Sequence, residues 1–308
     1  MNIFFPPHFS YYQPYIALPS LKAFIEEKGI QCNIHDLNIE SFHFLINPSF
    51  ICRSFEKIEK QISSLESKTE LDEKEFSYYE QLIQARLAYP IVNEYIQKAI
   101  TFFQDEEQIL DFEKYQLFER VIDNVFKIIS AAHYPTVISL SDFSMEYSYE
   151  SSIEIEAAIA DKEENPFIDF FQYFLEENEI SEGDKLIGIS ITATSQMIPA
   201  FTLAKLLRIK YPKKKIVLGG VVSNHLAEKL TRSQSLNKYF DFLINGEGET
   251  ALLGLIKHIE NGYAIERIPN LYYKLNGQWR SNKNICVEKI EKLPRSEEHT
   301  SELQSLLI

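Results

Sequence analysis

Three short apolar runs between Leu186 and Thr250, each closing on small or polar residues, leave this chain few folds to choose from. The first, Leu186-Ile187-Gly188-Ile189-Ser190-Ile191-Thr192, is too short for a helix and rich in β-branched residues, and it gives way to Ala193-Thr194-Ser195. It predicts a central parallel strand with a polar tip. Over residues 197–211, Ile198, Phe201, Leu203, Ala204, Leu206 and Leu207 recur at helical spacing and Pro212 marks the end, which predicts a crossover helix. Lys215-Ile216-Val217-Leu218 then runs into Gly219-Gly220, where no side chain keeps a ligand or another backbone away. A third strand over 240–244 opens into Asn245-Gly246-Glu247-Gly248-Glu249-Thr250, with Thr250 predicted to cap a helix through Ile259. Three βα units in succession imply a doubly wound parallel sheet, and ligands of such sheets sit beyond the carboxyl ends of the strands. The 190–194 tip, Gly219-Gly220 and the 246–249 loop are therefore expected along one rim.

The N-terminal residues supply two more units. Residues 2–5 form a short apolar strand stopped by Pro6-Pro7, and the loop His8-Phe9-Ser10-Tyr11-Tyr12-Gln13-Pro14 precedes a helix set up by Ile16, Leu18, Leu21, Phe24 and Ile25 and ending near Gly29. Residues 31–37 read as the next strand, with Asp36 and Asn38 at its end. The prediction is an α/β domain over 1–40 and 183–265, with a flavodoxin-like or Rossmann-like sheet of about five strands.

Between the two parts lies a helical insertion, 41–182. Leu117/Phe118, Val121/Ile122, Val125/Phe126 and Ile128/Ile129 recur every three or four residues, an apolar stripe that needs a partner layer. Pro90 and Pro135 are predicted to interrupt helices, and Asn165-Pro166 reads as an N-cap and first-turn proline launching a helix over 167–175. Residues 137–140 fit a short strand or a buried loop equally well. Asn276-Gly277 marks a two-residue hairpin turn. That hairpin and the linker behind it, 266–294, are expected to lead out of the sheet.

A net charge of −14 repels phosphate backbones and anionic lipid, and Lys213-Lys214-Lys215 reads as a solvated turn, so neither nucleic acid nor a membrane is an expected partner. The three cysteines, Cys32, Cys52 and Cys286, have neither metal-ligand spacing nor a disulfide pattern, and a reducing cytoplasm is the expected compartment. Residues 1–7 lack the charged and apolar regions of a signal peptide.

Taken in order, Pro6-Pro7 with Pro14, Leu18-Pro19-Ser20-Leu21, Gly29-Ile30, Asp36-Leu37-Asn38, Gly188-Ile189-Ser190-Ile191-Thr192, Gly219-Gly220, Gly246-Glu247-Gly248-Glu249 and the closing hairpin resemble the N-terminal cobalamin-binding half of cobalamin-dependent radical S-adenosylmethionine enzymes. The resemblance covers 1–40 and 186–294. It implies cobalamin as cofactor, held around Pro7, Ser190, Thr192, Thr194, Gly219, Gly220, Gly246, Glu247 and Gly248, beside a barrel that carries a 4Fe–4S cluster and uses S-adenosylmethionine, in many members for methyl transfer. The substrate is unknown.

Two features depart from the family. Cobalamin domains that ligate cobalt through a histidine carry Asp-x-His-x-x-Gly after the first strand. Here Pro6-Pro7-His8-Phe9-Ser10-Tyr11 keeps the histidine without its flanking anchors, so His8 lacks the oriented surroundings of a metal ligand. The Cys-x-x-x-Cys-x-x-Cys loop and its barrel are also missing, and residues 295–308 resemble a translated sequencing adapter. The chain as it stands is expected to bind cobalamin without catalysing a reaction.

Each candidate has a plainer role as well. Ser190, Thr192, Thr194 and Ser195 suit a nucleotide tail or the satisfaction of strand-end backbone. Gly219 and Gly220 suit close approach of a cofactor or a tight strand–helix junction, and Gly220→Leu is expected to abolish binding with secondary structure intact. Glu247 and Glu249 suit loop-fixing hydrogen bonds better than acid–base catalysis. His35, His43, His133, His225 and His258 stand singly and read as structural, and Phe9, Tyr11, Tyr12 and Tyr15 border the corrin or pack the sheet edge. Two other functions fit the same sheet: the nucleotide- or sugar-nucleotide-binding half of a transferase, and a non-enzymatic interaction module using the insertion.

Overall fold

The computed structural model describes residues 1–13 and 15–285. Its centre is a seven-stranded sheet of β1 (Asn2–Phe5), β2 (Asn33–Asp36), β3 (Leu186–Ser190), β4 (Lys215–Gly219), β5 (Phe242–Ile244), β6 (Leu271–Leu275) and β7 (Gln278–Ser281), in the order β2-β1-β3-β4-β5-β6-β7. The first five are parallel and the last two antiparallel. The parallel part has the doubly wound order 2-1-3-4-5, whose direction reverses between β1 and β3.

Every residue of β3 is buried, as a strand covered on both faces requires. Side-chain alternation divides the sheet between two cores. Ile3, Phe5, Leu186, Val217, Phe242 and Ile244 pack with α1 (Ala17–Glu27) and α10 (Glu249–Asn261). Phe4, Ile187, Ile189, Ile216, Leu218 and Leu243 face the other way. There they meet α8 (Met197–Lys210), α9 (Val221–Arg232) and the insertion's helices, α2 (Leu37–Leu45), α3 (Pro48–Glu66), α4 (Glu73–Phe103), α5 (Phe112–Ala132), α6 (Ser152–Ala158) and α7 (Phe167–Glu177). The stripe of Phe118, Val121, Ile122, Val125, Phe126 and Ile129 on α5 is buried in this shared core. The insertion is thus a layer on one face of the sheet.

Several local expectations are corrected. The hairpin does not leave the sheet: β6 pairs with β5, and Leu271 and Tyr273 enter the α1/α10 core while Tyr272 and Trp279 pack against the other. Its inward residues continue the sheet's own alternation, and Asn276 and Gly277 take the positive φ values, 53° and 79°, of a type I′ turn. Pro90 lies inside the unbroken α4, because Leu82, Ala85, Val92, Ile96 and Ala99 bury one side of that helix and offset the lost backbone bond. Residues 31–37 shorten to β2: Leu37 opens α2, and Asp36 caps it by accepting from the Asn38 and Ile39 amides. Residues 240 and 241 precede β5, and the Asp241 carboxylate there accepts from the Ile216 amide, Arg208 and Lys215. Thr250 falls in the first turn of α10, whose cap position is Gly248. Lys214, only 9% exposed, donates to the Ser181 and Asp184 carbonyls instead of being solvated. The helix expected behind Asn165-Pro166 opens at Phe167 with Pro166 at its cap position, and Asn165 Oδ1 accepts from the Phe167 amide at 3.1 Å. Residues 137–138 and 143–144 form a two-residue antiparallel bridge. Cys286, Leu293-Pro294 and the adapter-like residues 295–308 lie outside the described residues.

Candidate functional site

At the carboxyl end of the parallel strands, on the α1/α10 face, a cleft of about 290 Å³ opens between the starts of α1 and α10. Its base is Ile3 of β1, Gly188 of β3 and Val217 of β4, and its walls are Leu18, Leu21, Ile244 and Leu252. Ser190, Gly219, Gly220, Gly246, Glu247 and Gly248 all border it, so the sheet brings six of the nine sequence-derived candidates to one cavity. Pro7, Thr192 and Thr194 do not line it.

The two adjacent glycines differ. Gly220 has φ +94°, and a Cβ there would lie 2.4 Å from the Ile191 carbonyl oxygen and 2.7 Å from its nitrogen. Those atoms are committed, since the Ile191 amide donates to the Gly219 carbonyl and the Ile191 carbonyl accepts from Val222. Gly220 is thus required by the strand–helix junction, and the expectation that Gly220→Leu spares the fold is wrong. A Cβ at Gly219 would meet nothing within 4 Å, so this residue leaves open space over the cleft floor. At Gly188 the nearest atoms to a Cβ would be those of the Ile3 side chain, at 3.5 Å.

Polar groups gather near the strand tips. The Tyr15 hydroxyl and Ser190 Oγ are 3.3 Å apart. Asn224, on the first turn of α9, lines the cleft with a buried Oδ1 that has no hydrogen-bond partner. The loop after β5 is fixed by Asn270, which directly precedes β6. Its Nδ2 donates to the Glu247 carbonyl at 3.2 Å and the Ile285 carbonyl at 3.0 Å, and its backbone carbonyl accepts from Asn245. A Cβ at Gly246, φ +123°, would press on the Asn270 side chain at 3.4 Å. Sequence reasoning missed Asn270; an asparagine opening a strand that was assigned elsewhere gave no sign of touching this loop.

The remaining candidates serve the rim beside the cleft. Gln196, fully buried, accepts from the amides of Thr192 and Ala193 at 2.7 and 3.0 Å and donates to the Pro6 carbonyl at 2.6 Å, tying the tips of β1 and β3 together. Ser195 Oγ donates to the His8 carbonyl at 2.7 Å. Thr192 Oγ1 is buried without a partner, and Thr194 opens a single helical turn. His8 is 1% exposed and donates from Nε2 to the Ser139 carbonyl of the insertion, at 2.8 Å, against the rings of Tyr11 and Phe143. Burial pushes its imidazole down to about 4, against the opposing effect of the Ser139 bond and of Asp142. A neutral ring with Nε2 already engaged, packed away from the cleft, is not arranged as a cobalt ligand.

Among the described residues no group of three or more histidine, cysteine or acidic side chains is arranged to hold a metal ion. Cys32 is buried, its thiol pushed up to about 12 by that burial, and Cys52 is exposed. No described helix is long and apolar enough to cross a membrane. No protein-family model matches the chain, and no curated protein shows significant similarity to it.

Proposed function

We propose that this chain is the cobalamin-binding portion of a radical S-adenosylmethionine enzyme, a methyltransferase in its complete form, acting in a reducing cytoplasm. The observation that carries the reading is the cleft floor. At the carboxyl end of a 2-1-3-4-5 sheet, Gly188 and Gly219 leave bare backbone beneath an apolar slot walled by Leu18, Leu21, Val217, Ile244 and Leu252. Ligand pockets generally run from about 300 to 1,000 Å³. A slot of about 290 Å³ therefore suits one part of a large cofactor, the flat base of cobalamin's nucleotide tail, and the corrin ring would stay outside it.

The chain's residues fit that group in kind as well as in size. Tyr15, Ser190 and the unpartnered Asn224 Oδ1 offer hydrogen bonds to sugar hydroxyls, and Ile16 and Val221 expose apolar surface at the starts of α1 and α9. Bound cobalamin supplies a cobalt centre able to carry a methyl group. This polypeptide binds and orients the cofactor: the slot admits the tail, and Asn270 fixes the 246–248 loop along one wall. His8, committed to Ser139, contributes no lower ligand. The 4Fe–4S cluster and S-adenosylmethionine belong, in this reading, to a further domain. The charge of −14 argues against nucleic-acid or membrane partners.

A sugar nucleotide meets the same slot less well, because Glu249 in the first turn of α10 sets a carboxylate where its diphosphate, more highly charged than the single phosphodiester of cobalamin's tail, would approach the helix end. Protein mixed with hydroxocobalamin and desalted should keep a red chromophore, and should not retain uridine diphosphate glucose. A colourless protein that holds the sugar nucleotide would replace this reading with the other.

A further inference from the structure

On the opposite layer from the cleft, α2, α3 and α7 border a second concavity of about 730 Å³. Its lining is aromatic, with the Phe44 ring centroid 4.7 Å from Phe50, 5.6 Å from Phe170 and 5.5 Å from Tyr173. Phe50 and Phe170 are buried, whereas Phe44 is half-buried and Tyr173 is 53% exposed, so the last two present ring surface to the groove. Ionisable groups border the rings from all three helices: Glu40 and His43 from α2, Arg53 from α3 and Glu177 from α7. The Arg53 guanidinium sits 5.7 Å from the Phe50 centroid, so this aromatic cluster already accepts one cation. Among the described residues no cation lies over Phe44 or Tyr173, and neither Glu40 nor Glu177 has an ion-pair partner.

We propose that this groove binds an organic cation, an ammonium group on an apolar or aromatic body, between the ring faces of Phe44 and Tyr173 and the carboxylates of Glu40 and Glu177. Ring faces carry negative quadrupole charge and attract ammonium groups, and the two carboxylates add to that field. An anion would face both carboxylates against the single guanidinium of Arg53, and a neutral apolar molecule would desolvate the carboxylates without compensation. The net charge of −14 favours a cation at long range as well. The site is independent of whatever occupies the cleft, since the sheet separates them.

The groove's own titration gives the inference a signature. Glu40 keeps contact with solvent, yet its carboxyl is pushed up to about 7, first by desolvation and then by the Asp36 carboxylate. His43 is shifted down by burial. Raising the pH from 6 to 8 therefore ionises Glu40 and strengthens the binding of a cation.

Isothermal titration calorimetry of the full chain with benzyltrimethylammonium, benzyl alcohol and benzoate tests the proposal. The cation binds and the other two do not. Its affinity rises with pH from 6 to 8 in the native protein and rises less steeply in Glu40→Gln. Tyr173→Ala and Glu177→Gln, both at exposed positions, each weaken binding about two- to fivefold. Equal binding of the three probes, no binding of the cation, or cation binding indifferent to Tyr173→Ala and Glu177→Gln overturns the assignment.

Discussion

Replacing Gly219 by leucine separates a ligand slot from a mere gap between helices. A Cβ at this position meets nothing within 4 Å, so the new side chain grows into the cleft without displacing backbone. The fold should lose less than about 1 kcal/mol, as at other sites away from packed cores. Ligand binding should suffer far more. An aromatic bicycle of indole size buries roughly 150–250 Å², and at about 25 cal/mol/Å² its burial is worth about 4–6 kcal/mol. Association and ordering costs absorb part of that sum, so excluding the base should weaken cobalamin by at least about a hundredfold. Visible-absorbance titration with hydroxocobalamin reads the effect, and cobinamide, which lacks the nucleotide tail, is the control. Cobinamide should bind the native protein weakly and Gly219→Leu no worse. Native affinity for hydroxocobalamin in Gly219→Leu, with an unchanged circular dichroism spectrum, would refute the idea that the cleft receives the tail. Gly220 cannot serve in this experiment, because any Cβ there collides with the Ile191 backbone.

Other outcomes follow from buried polar groups. His8 and His133 are both pushed down to about 4, first by burial and for His133 also by the charge of Lys57. The folded state therefore binds fewer protons than the unfolded chain below pH 6.5, and stability, complete above that pH, should fall by about 3 kcal/mol for each histidine on going to pH 4; urea midpoints that stay level over this interval would contradict it. Burial acts to raise Asp241, but Arg208, the Ile216 amide and Lys215 together hold it below the usual carboxylate range. Asp241→Asn should cost about 1–3 kcal/mol at pH 7. Because the native contribution is lost as pH falls through the depressed value, variant and native stabilities should converge below the usual carboxylate range. Gln196→Leu strands the Thr192 and Ala193 amides and the Pro6 carbonyl, and should lower stability by about 2–4 kcal/mol in chemical unfolding. Asn270→Ala should weaken cobalamin retention while the chain stays folded, since it releases the 246–248 loop; unaltered retention would show that this loop does not hold the ligand.

How much of this was legible in the sequence depended on where the determining interaction lay. The β-branched run of β3, the proline and glycine stops and the glycine loops are local signals, and they yielded the parallel strands and the rim. Gly219 and Gly220 looked alike in sequence. Only the third dimension distinguishes them, because the conflict at Gly220 is with Ile191, twenty-nine positions earlier in the chain. The hairpin was recognised from Asn276-Gly277 but misplaced, since a turn dictates pairing within the hairpin and says nothing about which edge receives it. Pro90 misled for a related reason: propensity argued for a break, and burial on both sides of the proline prevailed. Thr192 and Thr194 had the right chemistry, but the chain turns at Gln196 and ties Thr192 into the rim beside the cleft. Glutamine at that position carries no sequence signature of a strand-tip clasp.

The arrangement of layers separates what the insertion controls from what it does not. Its helices cover the face of the sheet opposite the cleft, so the slot depends on α1, α10, the first turn of α9 and the strand floor, and on no helix of the insertion. The rim beside the slot is different. His8 is held by Ser139 of the insertion, Ser195 holds the His8 carbonyl, and Gln196 binds Pro6. A disturbance around 139–143 therefore reaches the loop after β1 and the tip of β3 through these three bonds, and stops short of Gly188 and Gly219. Substituting Phe143, which packs on His8 and Phe167, by alanine should therefore alter the environment of the β1 loop and leave the slot's capacity for a flat base intact. Tail binding, measured as the difference in affinity between hydroxocobalamin and cobinamide, should be unchanged in Phe143→Ala even as overall stability falls by about 3–5 kcal/mol. A collapse of that difference in folded protein would mean that the insertion shapes the slot through the rim, against the separation of the two cores.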